Sequence, residues 1–172
     1  MRVLHFMDAY LPHIGGTETL VRSLCEVQRA RGHAVAVSAG AVPGHEGQGL
    51  IEGKDLIEGG NGLIDGVPVF RRKGLDQDLA KRPDLFLRLV ADAAAIKRQW
   101  APDVVHCHAC GVSGWINLLT GKSYPNVVTL HSSTLRLPRG IQERMLVEAA
   151  CVTAVSISMR GGFAEQAANR KT

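Results

Sequence analysis

The sequence is short of aromatics and cysteines, and it has no long apolar run and no block of one charge. Each shortage excludes something. Aromatics make up 5% of the 172 residues, so a core must be assembled chiefly from Val, Leu, Ile and Ala. Four cysteines, Cys25, Cys107, Cys110 and Cys151, are too few and too scattered for a disulfide framework and fit reduced thiols in the cytoplasm. No apolar stretch approaches the ~20 residues that span a bilayer. Met1 to Met7 runs straight into Asp8 and lacks the long apolar core and cleavage site of a signal peptide. No run of Lys and Arg forms an arm, and basic residues do not interleave with aromatics, which argues against a nucleic-acid partner. The formal charge of +4 suits an ordinary solvated surface or a basic face toward phosphates or anionic lipid.

What is present is an apolar share of 45%, enough to fill the core of one domain covering 1–172. Val3 to Met7 reads as a buried strand ended by Asp8. A turn with Pro12, Gly15 and Gly16 leads to a helix from about Thr17 to Arg31, with Leu20, Val21, Leu24 and Val27 at helical spacing and Gly32 at its end. Ala34 to Ser38 is a second strand, which makes a βαβ unit with parallel strands. The glycine-rich stretch from Ala41 to Gly66 has no period and reads as a loop holding at most a short hairpin. Val67 to Arg71 is a strand, and Pro83 opens a helix through Trp100. Strands follow at Asp103–His108, Asn126–His131 and Val152–Ser156. Helices are predicted over Gly111–Thr120, Pro138 to about Ala150, and Met159–Ala168. Strands without alternation, separated by helices, imply an α/β fold with a mostly parallel sheet covered on both faces.

Ligands of such sheets gather outside the carboxyl ends of the strands. Asp8, Tyr10, His106, His108, His131, Ser132 and Ser156 all fall there. Gly15 and Gly16 precede a helix N-terminus, where bare backbone and the helix dipole favour an anion. They match neither the dinucleotide fingerprint nor a P-loop, and a plain turn is the competing reading. Cys107 and Cys110 form a C-x-x-C with no second ligand pair for zinc and no helix start to stabilise a thiolate, so they read as buried cysteines. His106 and His108 share one side of a strand, a spacing able to hold a metal, with Asp8 or His131 completing a hydrolase site as a minor alternative. Glu18 and Glu26 lie about 80° apart around their helix and read as surface residues.

Three stretches carry a resemblance to the N-terminal domain of a family 4 glycosyltransferase with the GT-B fold: LHFMDAYLPHIGGTETLVRSLCEVQRARGHAVAV, APDVVHCHACGVSG with NVVTLHSS, and AACVTAVSIS. The resemblance implies a Rossmann-like, acceptor-side half of a retaining enzyme that uses a nucleotide-diphospho-sugar donor and no metal or other cofactor. It places Gly15 and Gly16 near the donor diphosphate and His131 beside the transferred sugar as the catalytic residue. Tyr10, Thr17, His108 and Ser132 would then line the acceptor side. The acceptor would be a small molecule or lipid-linked, the enzyme cytoplasmic with peripheral contact at the inner membrane face. The donor-binding half, with its Arg/Lys pair and two glutamates, is expected in a C-terminal domain or a separate chain, leaving this chain inactive alone. Glu18 and Glu26 imitate that glutamate pair by spacing but sit on the first helix of the wrong domain. A non-catalytic module binding an anionic ligand is the alternative from a different class.

Overall fold

A computed structural model describes residues 1–41, 61–75, 78–108, 111–120, 124–132 and 138–156. They build a seven-stranded sheet from β1 (Arg2–Phe6), β2 (Ala34–Gly40), β3 (Asn61–Ile64), β4 (Val67–Arg72), β5 (Val104–His108), β6 (Asn126–Leu130) and β7 (Cys151–Ala154). The helices are α1 (Gly16–Ala30), α2 (Pro83–Trp100), α3 (Val112–Leu119) and α4 (Arg139–Glu148), with a 3-10 turn at Leu79–Lys81. Strand order is β3-β4-β2-β1-β5-β6-β7. All neighbours are parallel except β3, which pairs antiparallel with β4. Without that edge strand, the order is that of a doubly wound Rossmann sheet, with the switch point between β1 and β5.

The helices divide between two faces as the apolar periods require. Val21 and Cys25 of α1 pack on Met7, Val35, Val37 and Ala39. On the opposite face, Leu85, Leu89, Ala93 and Ile96 of α2 meet Leu4, Phe6, Ala36 and Val105. Met145 of α4 closes over Cys107, Val128 and Leu130 on that same side. Pro83 opens α2 because its fixed φ suits a first helical turn, and Ala101 ends the helix in the left-handed region at φ 46°.

Of the stretch Ala41–Gly66, residues 42–60 lie outside the described residues, and its end supplies β3, an unexpected strand that forms a hairpin with β4 beyond it. Its two-residue turn, Asp65 (φ 52°) and Gly66 (φ 73°), is the Asp-Gly arrangement whose twist matches the flanking strands. The expected helix over Met159–Ala168 lies outside the described residues, as does Cys110. Cys107 sits within β5, buried on the α4 face. Among the described residues no helix is long and apolar enough to cross a membrane.

Candidate functional site

The switch point opens a pocket of about 230 Å³ lined by Asp8, Thr17, Glu18, His108, His131 and Ser132, together with the backbone turn after β1. Each contributor follows from the topology. Asp8 follows β1, Thr17 and Glu18 begin α1, His108 ends β5, and His131 and Ser132 follow β6. Of the expected site residues, Thr17, His108, His131 and Ser132 are therefore brought together. Gly15 and Gly16 lie immediately before this lining. Tyr10 stands apart, 1% exposed in the α1-side core beside Cys25, where burial pushes its hydroxyl pKa up.

Asp8 holds the loop after β1 in place. Its carbonyl accepts the Gly40 N–H at 2.9 Å, and its Oδ1 accepts the Ser113 N–H at 2.7 Å. The carboxylate thus caps α3, where unpaired N–H groups favour a negative charge. Arg72, fully buried, donates from Nη2 to the Met7 carbonyl at 2.9 Å and to Ser113 Oγ at 2.8 Å. Its guanidinium lies over the Phe6 ring, 4.1 Å from the centroid, and burial lowers its pKa to about 10.

Four histidines meet across β1, β5 and β6. His5 points from mid-β1 toward α1. Its Nε2 lies 2.8 Å from Gln28 Oε1, and its Nδ1 lies 2.8 Å from His108 Nε2. His108 Nδ1 in turn is 3.0 Å from His131 Nε2. His106 stands beside them, its ring 4.1 Å from that of His108, with Nε2 bonded to Thr129 Oγ1 at 2.7 Å. Burial, which penalises the charged form, lowers the pKa of His5 and His106 to about 4 and that of His108 further. Burial also lowers His131, opposed by the nearby Glu18 carboxylate. All four rings are therefore neutral at pH 7.

Nitrogens of His5, His106 and His108 lie within 4.8 Å of one another, as a metal would require. The orientation fits poorly. His5 Nδ1 and His108 Nε2 face each other at hydrogen-bond distance rather than converging on a third point. Among the described residues no carboxylate or thiolate joins the three rings.

Glu18 corrects the sequence reading. It is 9% exposed rather than a surface residue. Its carboxylate folds back over the helix N-cap, so a Cβ on Gly15 would lie 2.5 Å from Glu18 Oε2. Gly15 itself is extended (φ −151°), a conformation open to any residue. The space a Cβ would take is filled by the far end of the flexible Glu18 side chain, which can swing aside. The helix N-terminus expected to meet a phosphate therefore already has a carboxylate against it, while Gly16 has open space where a Cβ would stand. Because Glu18 raises the His131 pKa, Glu18→Gln should lower it further, seen as a titration midpoint displaced to lower pH by NMR. An unchanged midpoint would remove Glu18 from the electrostatics of the pocket.

Sequence reasoning passed over His5 and Gln28 as well. A histidine inside the apolar run Val3–Met7 was a usable signal, because a buried imidazole must find partners for two nitrogens.

Order of strands, two-sided helix cover and a polar pocket at the switch point define a Rossmann-like α/β protein of the GT-B type. The chain belongs to Glycosyltransferase Family 4, whose model matches residues 14–170. In three dimensions it is similar to sucrose-phosphate synthase from Thermosynechococcus elongatus, with a TM-score of 0.57 at 16% identity, covering 88% of this chain and 41% of that one. A shorter chain of that enzyme gives 0.58 at 16% identity, covering 93% and 79%. MurG from Acinetobacter baumannii gives 0.61 at 13% identity, covering 92% and 41%. The 172 residues thus span 41% of the sucrose-phosphate synthase chain and of MurG. No protein of curated function matches in sequence.

Proposed function

We propose that this chain is the acceptor-binding half of a retaining glycosyltransferase that uses a nucleotide-diphospho-sugar and completes its site with a donor-binding domain. The observation that carries this reading is the switch-point pocket, where His131, His108, Thr17 and Ser132 line one wall. Neutral imidazoles there can hydrogen-bond sugar and acceptor hydroxyls without adding charge. In this reading His131 lies beside the transferred sugar and stabilises the charge that develops as the donor bond breaks. Gly15 and Gly16 admit the donor diphosphate once the Glu18 carboxylate turns away. No metal or other cofactor takes part. The acceptor is a small molecule or a lipid-linked group, and the protein works in the cytoplasm, alone lacking the donor grip that transfer needs.

The test is sugar transfer by the chain joined to its donor-binding domain, or mixed with that domain as a separate chain. Transfer is expected only in the completed form. His131→Ala should lower kcat/KM by about 100-fold, the scale of losing one transition-state contact. A completed protein that neither transfers nor hydrolyses any nucleotide-sugar would point instead to a non-catalytic module for an anionic ligand.

A further inference from the structure

We propose that Gln28, His5 and His108 form a relay of positioning residues that decides which ring nitrogen of His131 carries its proton, leaving Nδ1 as a hydrogen-bond acceptor. Burial in a neutral state gives each imidazole one N–H and one lone pair, so the polarity of one bond dictates the next. Gln28 Oε1 can only accept, so His5 Nε2, 2.8 Å away, must donate. His5 Nδ1 then has the lone pair and receives the proton of His108 Nε2 at 2.8 Å. His108 Nδ1 is left to accept from His131 Nε2 at 3.0 Å. The lone pair of His131 therefore resides on Nδ1, which has no partner among the described residues.

The relay accounts for two residues that packing alone does not. A histidine fully buried in the central strand β1 is costly unless both nitrogens are satisfied, and here both are. Gln28, like Glu18, is a polar residue on the α1 face that carries Val21 and Cys25, positioned one helical turn beyond Cys25. An apolar residue there would leave a buried N–H without an acceptor. His106 stays outside the relay, since its Nε2 is taken by Thr129.

The functional consequence rests on the acceptor-half reading. With its lone pair fixed on Nδ1, His131 takes a hydrogen bond from a ligand hydroxyl and cannot donate one from that atom. Hydroxyl donors fit it, whereas carbonyl or carboxylate oxygens meet a lone pair.

Long-range proton–nitrogen NMR on the histidine-labelled 172-residue protein at pH 7.5 reads each tautomer directly and needs no sugar. His5, His108 and His131 are expected as neutral Nε2–H tautomers. Gln28→Glu, which keeps an acceptor oxygen, should preserve the pattern, and Gln28→Leu should turn His131 into a mixture of tautomers. His131 found as Nδ1–H in the unmodified protein overturns the relay. So does a single unchanged His131 tautomer in folded Gln28→Leu, or stoichiometric metal lost on His106→Ala. Should Gln28→Leu fail to fold, the unmodified protein and Gln28→Glu decide alone: an Nδ1–H His131 in either sinks the proposal. A completed protein without transferase activity would instead sink the acceptor-half reading and leave the tautomer pattern untouched.

Discussion

Lowering the pH from 6.5 to 4 is expected to destabilise the fold by on the order of 5 kcal/mol, enough to unfold a domain of ordinary stability. The histidine cluster is the cause. His5 and His106 have pKa values of 6.5 in their unperturbed state and about 4 in the fold. The His5 ring is buried and that of His106 half-buried, and at His106 the neighbouring His5 and His131 would add like charge. Between those two values the unfolded chain binds more protons than the native one. Stability therefore falls as the pH drops below 6.5, and their share of the loss levels off below about 4. Above 6.5 both states are neutral and the cluster contributes no pH dependence. His108 and His131 are shifted in the same direction and steepen the fall, and His108, lowered further than His5 and His106, continues it below pH 4. Each pKa unit corresponds to about 1.4 kcal/mol, which makes two such groups a large share of the stability. Urea midpoints measured from pH 7 to pH 4.5 check this, and His106→Gln should flatten the slope. A midpoint that does not move over that range would show that the four rings are not held neutral by the fold.

Gly111→Ala is expected to cost about 1 kcal/mol, a loss set by the cap that the exposed Asp8 carboxylate must give up. A Cβ on Gly111 would overlap the Asp8 carboxylate. The residue is extended (φ −138°), so the glycine is required by that approach and not by its backbone angles. Relief requires Asp8 to leave, which strips the cap from Ser113 and loosens the loop tied to Gly40. Asp8→Ala alone forfeits the cap and should cost about 1 kcal/mol. The two changes should then be strongly non-additive, with the double variant about as stable as Asp8→Ala. Thermal unfolding of the four proteins closes this cycle. Additive losses would mean that the space around Gly111 is not set by Asp8.

Much of this architecture could be read along the chain. The α1 helix, expected from Thr17 to Arg31, runs Gly16–Ala30, and the α2 helix begins at Pro83 and ends at Trp100 as its proline and apolar stripe required. The strands after Pro102 and before His131 stand within a residue of their expected places. Glu18 was misread for a definable reason. Its spacing relative to Glu26 describes direction around a helix, while its burial comes from a carboxylate turning back over Gly15, a contact that no periodicity encodes. Tyr10 shows the converse. A polar-tipped residue just past a strand end was expected to face the ligand, yet the chain there turns it under α1 against Cys25.

The βαβ opening and the parallel character of the sheet were settled by the sequence alone, because the apolar period acts within a few residues. The histidine relay was decided only in three dimensions. His5 and His108 are 103 positions apart in the chain. They meet because β1 pairs with β5 in a register that sets His5 opposite His106, and because β6 then runs beside β5. Strand order and register come from packing α1 on one face and α2, α3 and α4 on the other. That packing is a property of the whole sheet, and no single segment carries it.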